Sequence, residues 1–203
     1  MRAQRNAPGA QAGSARRREL LAIAERQFAT RGFAQTTIRD IADEAGILSG
    51  SLYHHFPSKE AMLGEALQEF LEGLLARSIR IVEQGDRPRE VLDQLIRESF
   101  ATINAAPDAV ALYQNEKTFV AETPGFEFVA KLSRDIEKLW LGVIKSGRAA
   151  GEFRTDLDVN LTYRFIRDTV WSTVGWYRLG GRFSHHTVAE QYLSLLHGGM
   201  LKA

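Results

Sequence analysis

The 203-residue chain contains no cysteine, which excludes disulfides, thiol nucleophiles, iron–sulfur clusters and cysteine-based zinc sites together. The redox compartment stays open, because that absence suits either side. Long hydrophobic runs are missing as well, and none approaches the roughly 18 consecutive apolar residues of a spanning helix. The Arg-containing start has no apolar stretch of the signal-peptide kind, so a soluble, cytoplasmic protein with no membrane contact is expected. Catalytic motifs are lacking too: there is no Gly-x-Ser-x-Gly elbow, no phosphate-cradling glycine loop and no His-Glu-x-x-His. The adjacent pairs His54-His55 and His185-His186 point to different sides of a helix, so no metal ligand set, no cofactor and no enzyme are expected. Strand signals are nearly absent, with no alternating β-branched run and no Asn-Gly hairpin.

What remains is ordinary globular material carrying an uneven charge. Apolar residues make up 44% and charged residues 25%, enough to bury a sizeable core and unlike a disordered tail. Residues 1 to 59 carry nine Lys or Arg against five Asp or Glu, and the remainder carries seventeen against twenty. A first segment at +4 attached to a remainder at −3 suggests an anionic partner for the first segment alone.

Residues 1 to 13 hold Gly, Pro, Gln, Asn and Ala with Arg2 and Arg5. They show no apolar periodicity and read as a flexible arm, either a plain terminus or one that seeks a DNA groove. From Ser14 the recurrence of Leu20, Leu21, Ala24 and Phe28 predicts a first helix of about 17 residues, ended at Gly32. Thr37 and Asp40 form a capping pair for a second helix of two turns, ended at Gly46. Ser49 to Phe56 gives a third short helix before Pro57. Ser58 caps a long fourth helix to about Gln84, with Leu63, Leu67, Phe70, Leu71, Leu74 and Ile81 as its stripe. Further helical patterns cover 89 to 104, 108 to 119, 126 to 150, 159 to 179 and 187 to 197. Pro107, Thr123-Pro124-Gly125, Gly151 and Gly180-Gly181 punctuate them. The expected fold is all-α with about nine helices.

Two short helices joined by a glycine-containing turn describe a helix-turn-helix, whose second helix enters the major groove. Leu52 and Phe56 fall one turn apart as packing residues, which leaves Ser49, Gly50, Ser51, Tyr53 and His54 outside. Gly50 permits close backbone approach, the serine hydroxyls suit base edges or phosphates, and Tyr53 and His54 have the reach for phosphates. Lys59 in the first turn of the fourth helix and Thr37 at the start of the second are further phosphate candidates. The alternative is a helical hairpin whose Ser and Gly merely turn the chain and whose Tyr-His-His stretch packs at an interface. The pattern by itself does not choose.

Residues 15 to 64 resemble the N-terminal DNA-binding domain of the TetR family of transcriptional regulators. Thr36-Thr37-Ile38-Arg39-Asp40-Ile41-Ala42, Ala45-Gly46, Gly50-Ser51-Leu52-Tyr53-His54-His55-Phe56 and Ser58-Lys59-Glu60 match its pattern in order and spacing. Many members place a Ser directly before the third helix, where this chain has Leu48; Ser49 is expected to take over the cap. The resemblance implies a homodimer on a palindromic DNA operator, released when a small molecule binds an all-α regulatory domain. It divides the chain into the arm (1 to 13), a helix-turn-helix domain (14 to 59) and a ligand-binding and dimerisation domain (60 to 203).

In that second domain the pattern over 159 to 179 carries two stripes. Tyr163, Ile166, Val170, Thr173, Val174 and Tyr177 form a mostly apolar one, and Arg164, Arg167, Asp168, Trp171, Gly175 and Arg178 combine charge with a large aromatic. Arg167 and Trp171 lie one turn apart, suited to an anionic ligand whose apolar part stacks on the indole. The alternative is a solvated face with an Arg164–Asp168 pair, which leaves Trp171 unexplained. Tyr113, Phe119, Phe126, Phe128 and Trp140 are further pocket candidates, or simply core. Ile47 to Phe56, Tyr163 to Thr169 and Trp176-Tyr177-Arg178 look like the actinobacterial repressors of cholesterol-ring catabolism. That likeness implies a CoA thioester of a partly degraded steroid as inducer. Trp176, Tyr192 and Leu196, with Leu193, Leu195 and Gly198-Gly199, offer a self-association surface or internal core. Two rival readings are an architectural DNA-binding protein without inducer and a thioester-cleaving enzyme, the latter lacking any visible nucleophile.

Overall fold

The computed structural model describes residues 8–200. Among them it holds ten α-helices, one short 3-10 turn and no strand. In chain order the helices are α1 (Pro8–Arg31), α2 (Ile38–Glu44), α3 (Ser49–Leu52), α4 (Lys59–Gln84), α5 (Pro88–Ala105), α6 (Pro107–Asn115), α7 (Lys117–Glu122), α8 (Glu127–Ala149), α9 (Val159–Ser172) and α10 (His185–Met200). None of the described helices is long and apolar enough to cross a membrane. The chain divides into two compact units, residues 1–67 and 68–203.

In the first unit Leu20, Ala24 and Phe28 of α1, Ile41 and Ala42 of α2, Leu52, Phe56, and Met62 and Leu63 of α4 are all buried to 1% or less. Helical spacing assigned all of these inward except Met62, which the stripe read for the fourth helix did not include. Gly32 and Gly46 close α1 and α2 at φ +88° and +66°, a left-handed conformation that glycine reaches without steric cost. The Thr37–Asp40 capping box forms as the sequence predicts, and Ser58 accepts from the Ala61 amide at the head of α4. Two expectations are corrected. Helix α1 starts at Pro8, so residues 8 to 13 are helical rather than part of an arm. Pro at the first helical position and the alanines and Gln11 behind it favour helix without needing an apolar stripe. Residues 1 to 7 of the expected arm lie outside the described residues. The second correction is at α3, where Leu48 itself is the N-cap residue and no side chain caps the helix; Ser49 is already its first helical residue.

In the second unit α5 is the central element, buried along Val91, Leu92, Leu95, Ile96, Phe100 and Ile103 and packed against α8, α9 and α10. The pattern over 108 to 119 is split at Glu116 into α6 and α7, a one-residue break through which the apolar spacing passes almost unaltered. The pattern over 159 to 179 stops at Ser172 and continues as a 3-10 turn, Thr173–Gly175. Ser172 and Thr173 both turn their hydroxyls onto the Thr169 carbonyl, back-bonding that loosens a helix end. Gly175, Tyr177 and Arg178 therefore leave the stripes assigned to them, and the Tyr177 hydroxyl donates to Asn104 at 2.7 Å.

Candidate nucleic-acid interface and ligand cavity

Helix α3 ends at Leu52 rather than running to Phe56 as expected, so Tyr53 is its C-cap and His54 lies in the turn beyond; Thr37, Gly50, Tyr53 and His54 face solvent, with Ser49 and Ser51 half-buried. Tyr53 is 54% exposed, and a side chain added at Gly50 would meet open space. The frame beneath them is tightly fastened. Arg16 donates to the Ala45 carbonyl at 2.7 Å, Gln27 to the Asp40 carbonyl at 3.1 Å, and Arg17 pairs with Glu65. Arg26 and Gln27 both donate to Glu44, holding its carboxyl below the usual range.

Two of the phosphate candidates are already engaged. The Thr37 hydroxyl donates to Asp40 Oδ2 at 2.5 Å and accepts the Asp40 amide at 3.1 Å, while the Thr37 amide donates to the same carboxylate at 2.8 Å. These bonds hold the Asp40 carboxyl below its ordinary value. Lys59 donates to the carbonyls of Phe33 at 2.7 Å and Thr36 at 2.8 Å, which leaves one of its three N–H donors for anything else. Sequence reasoning passed over Arg39, whose side chain is 84% exposed on α2 and pairs at 3.6 Å with Asp43. Its position inside the Thr36 to Ala42 motif was the available signal.

In the second unit Trp140, Tyr163, Arg167 and Trp171 line one small cavity with Leu74 and Ile136. Burial pushes the Tyr163 hydroxyl up to about 12. Its ring lies 6.2 Å from that of Trp140 and 5.5 Å from the Arg167 guanidinium. Trp171 meets Phe70 edge-on at 6.3 Å, and Phe70 meets Tyr113 at 5.8 Å. Three of the five candidate ligand residues thus share a wall and Tyr113 is two rings away. Phe128 is elsewhere, stacked at 6.1 Å on Phe126 in a separate cluster with Phe119. Asp168 accepts from its neighbour Arg167 at 2.7 Å, not from Arg164 as in the solvated-face alternative, and that bond is the first cause holding its carboxyl low. Lys117, which sequence reasoning missed, stands 5.8 Å over the Tyr113 ring. The residue as a whole is exposed, yet desolvation of its ammonium, followed by the nearby Arg167 charge, lowers its pKa.

The surface candidates separate in a similar way. Trp176 is 56% exposed, but Tyr192 and Leu196 are half-buried. The Tyr192 ring meets Phe100 edge-on at 5.9 Å, and burial pushes its hydroxyl up to about 12. The large apolar side chains that α9 and α10 do expose are Leu161 at 53%, Phe165 at 69% and Leu195 at 78%. Leu161 and Phe165 sit one turn apart on the side of α9 opposite Tyr163 and Ile166, a spacing legible in the sequence. Among the described residues no group of three or more His, Asp or Glu is placed to hold a metal ion.

Residues 20–66 match the family model of bacterial regulatory proteins, tetR family, and residues 85–200 match that of the tetracyclin repressor-like C-terminal domain. The chain belongs to the TetR family of transcriptional regulators. This settles the choice at α2 and α3 in favour of a helix-turn-helix and sets aside the enzyme reading. Among TetR relatives, the HTH-type transcriptional repressor KstR2 of Rhodococcus jostii is 48% identical over 187 residues, covering 92% of each chain. The protein of that name from Mycobacterium tuberculosis is 47% identical over 189 residues, covering 93% of this chain and 94% of the relative. The solved structure of the ketosteroid transcriptional regulator KstR2 of M. tuberculosis superposes with a TM-score of 0.90, covering 93% of this chain and 96% of that one.

Proposed function

We propose that this regulator is a homodimeric repressor of steroid breakdown, released from a palindromic operator by the CoA thioester of a steroid catabolite. The observation that carries the ligand class is the pairing of Arg167 and Trp171, one turn apart on α9, at a cavity otherwise lined by aromatic and aliphatic side chains and by Ser99, whose hydroxyl donates to the Leu95 carbonyl. A guanidinium beside an indole suits a bulky ligand with an anionic portion, and Lys117 adds a second, partly desolvated cation close by. The names of the KstR2 relatives supply the steroid context.

The cavity volume is about 20 Å³, room for one water and far below the roughly 300–1,000 Å³ of a small-molecule site. A thioester must therefore part α4, α8 and α9 to enter. That opening supplies the two forms that release requires, and the coupling is limited by the ligand's differential affinity for them. In the DNA-bound dimer the two copies of α3 enter successive major grooves about 34–36 Å apart. Residues 60 to 203 hold the ligand and the partner copy, and the helix-turn-helix of residues 14 to 59 reads DNA.

Fluorescence anisotropy of labelled DNA from upstream of the protein's own gene tests the proposal. The complex should form, weaken steeply with salt, and dissociate as a CoA thioester of a steroid ring fragment is titrated to low micromolar concentration. A complex that persists at saturating thioester rejects the inducer, and a protein that shows no thermal stabilisation by any such ligand is an architectural binder instead.

A further inference from the structure

Leu48 is the most exposed large apolar side chain among the described residues, at 80%. It stands at the turn between α2 and α3. Helical spacing with Leu52 and Phe56 would bury it, but the backbone at Leu48 is extended, at φ −73° and ψ 144°, so the side chain leaves the helix face before α3 begins. Its position is fixed by the surrounding backbone bonds: the Ile47 amide donates to Ala42 at 3.0 Å and the Ser51 amide to the Leu48 carbonyl at 2.9 Å. The position is also one that favours Ser, Thr, Asp or Asn, whose oxygen would cap the free amides of α3. This chain forgoes that cap and offers solvent an isobutyl group instead. Beside it Gly50 carries no side chain and has open space around it, so an approaching surface reaches Leu48 first.

We propose that Leu48 is a base-reading residue that selects thymine in the operator by contact with its 5-methyl group. In the major groove the hydrogen-bonding edges of the bases suit Ser49 and Ser51, whereas the one apolar feature is the thymine methyl. An aliphatic side chain has nothing else there to recognise. The inference rests on the DNA-binding reading of α2 and α3 and adds a sequence preference to it.

The test starts from a duplex that the full-length protein itself selects from a random library, in which each thymine is replaced singly by uracil, which lacks only the methyl. At one thymine per half-site the replacement should weaken wild-type binding about four-fold, the worth of one buried methyl. Leu48→Ala should bind the parent duplex more weakly and be indifferent to that replacement. Leu48→Ser should be equally indifferent while melting no lower than wild type, which excludes damage to the fold as the cause. Uracil tolerated at every position, or the same uracil penalty in Leu48→Ala, overturns the proposal. Failure to select any duplex would instead reject the DNA-binding reading beneath it.

Discussion

The ammonium of Lys59 donates to the Phe33 carbonyl at 2.7 Å and stands 4.2 Å from the centroid of the same residue's ring. One side chain thus ties the first turn of α4 to the loop between α1 and α2, and the bond to Thr36 reinforces it. Lys59→Met should leave two part-buried carbonyls without their charged donor and cost about 2 kcal/mol in the first unit. Hydrogen exchange of the α1 and α2 amides reads this directly. A Lys59 that served only a phosphate would give another result: unchanged exchange, with the salt slope of DNA binding reduced by about 0.9 for each phosphate lost.

Acid should loosen the same unit. The carboxyls of Asp40 and Glu44 lie below their ordinary values of 3.8 and 4.5, held there by Thr37 and by Arg26 with Gln27 respectively. A depressed carboxyl contributes stability that is present above its unfolded pKa and is lost as pH falls through the folded one. Amide exchange in α1 and α2 should therefore rise as pH drops below about 4.5, the higher of the two ordinary values. The double variant Asp40→Asn, Glu44→Gln should show a flatter pH profile, starting from lower stability at neutral pH. An equally steep profile in that variant would place the acid sensitivity elsewhere.

Self-association should depend on the residues that α9 and α10 expose rather than on those they half-bury. Phe165→Glu and Leu195→Glu place a charge on side chains that are 69% and 78% exposed, so neither disturbs the core. If these faces join two copies, burying an unpaired carboxylate there is prohibitive and light scattering should report a monomer. Tyr192→Phe should remain dimeric, because the Tyr192 ring already packs on Phe100 within its own chain.

The helix-turn-helix was legible because its requirements are local. Thr37 and Asp40 cap at a fixed spacing, Gly46 turns the chain, and Leu52 and Phe56 pack one turn apart, all within 20 residues. Partners brought from a distance were not legible. Nothing near Lys59 in sequence points to the carbonyls of Phe33 and Thr36, and the Tyr192 contact with Phe100 spans far more of the chain. The ligand cavity lies between these cases. Arg167 and Trp171 could be paired by helical period alone, whereas Phe128 was grouped with them by residue type and the fold places it in another cluster. The end of α9 at Ser172 was missed because hydroxyl back-bonding to Thr169 leaves no trace in the apolar pattern.

Release by the thioester should depend most on Arg167, whose Nε is already bonded to Asp168. That bond leaves the terminal nitrogens of the guanidinium for an anion, with the planar group held over the Tyr163 ring at 5.5 Å. Arg167→Ala and Trp171→Ala should both leave operator affinity unchanged, since neither residue is in the helix-turn-helix. Arg167→Ala should raise the thioester concentration needed for release at least ten-fold, the scale of one charge-assisted hydrogen bond. Arg167→Lys should recover only part of this, because an ammonium lacks the planar fork. Lys117→Gln should weaken release more modestly and reduce its salt dependence, as expected for a cation that attracts the anionic end without gripping it. Normal release by Arg167→Ala would remove α9 as the sensing element, while loss of DNA binding in the same variant would show that the residue supports the fold instead.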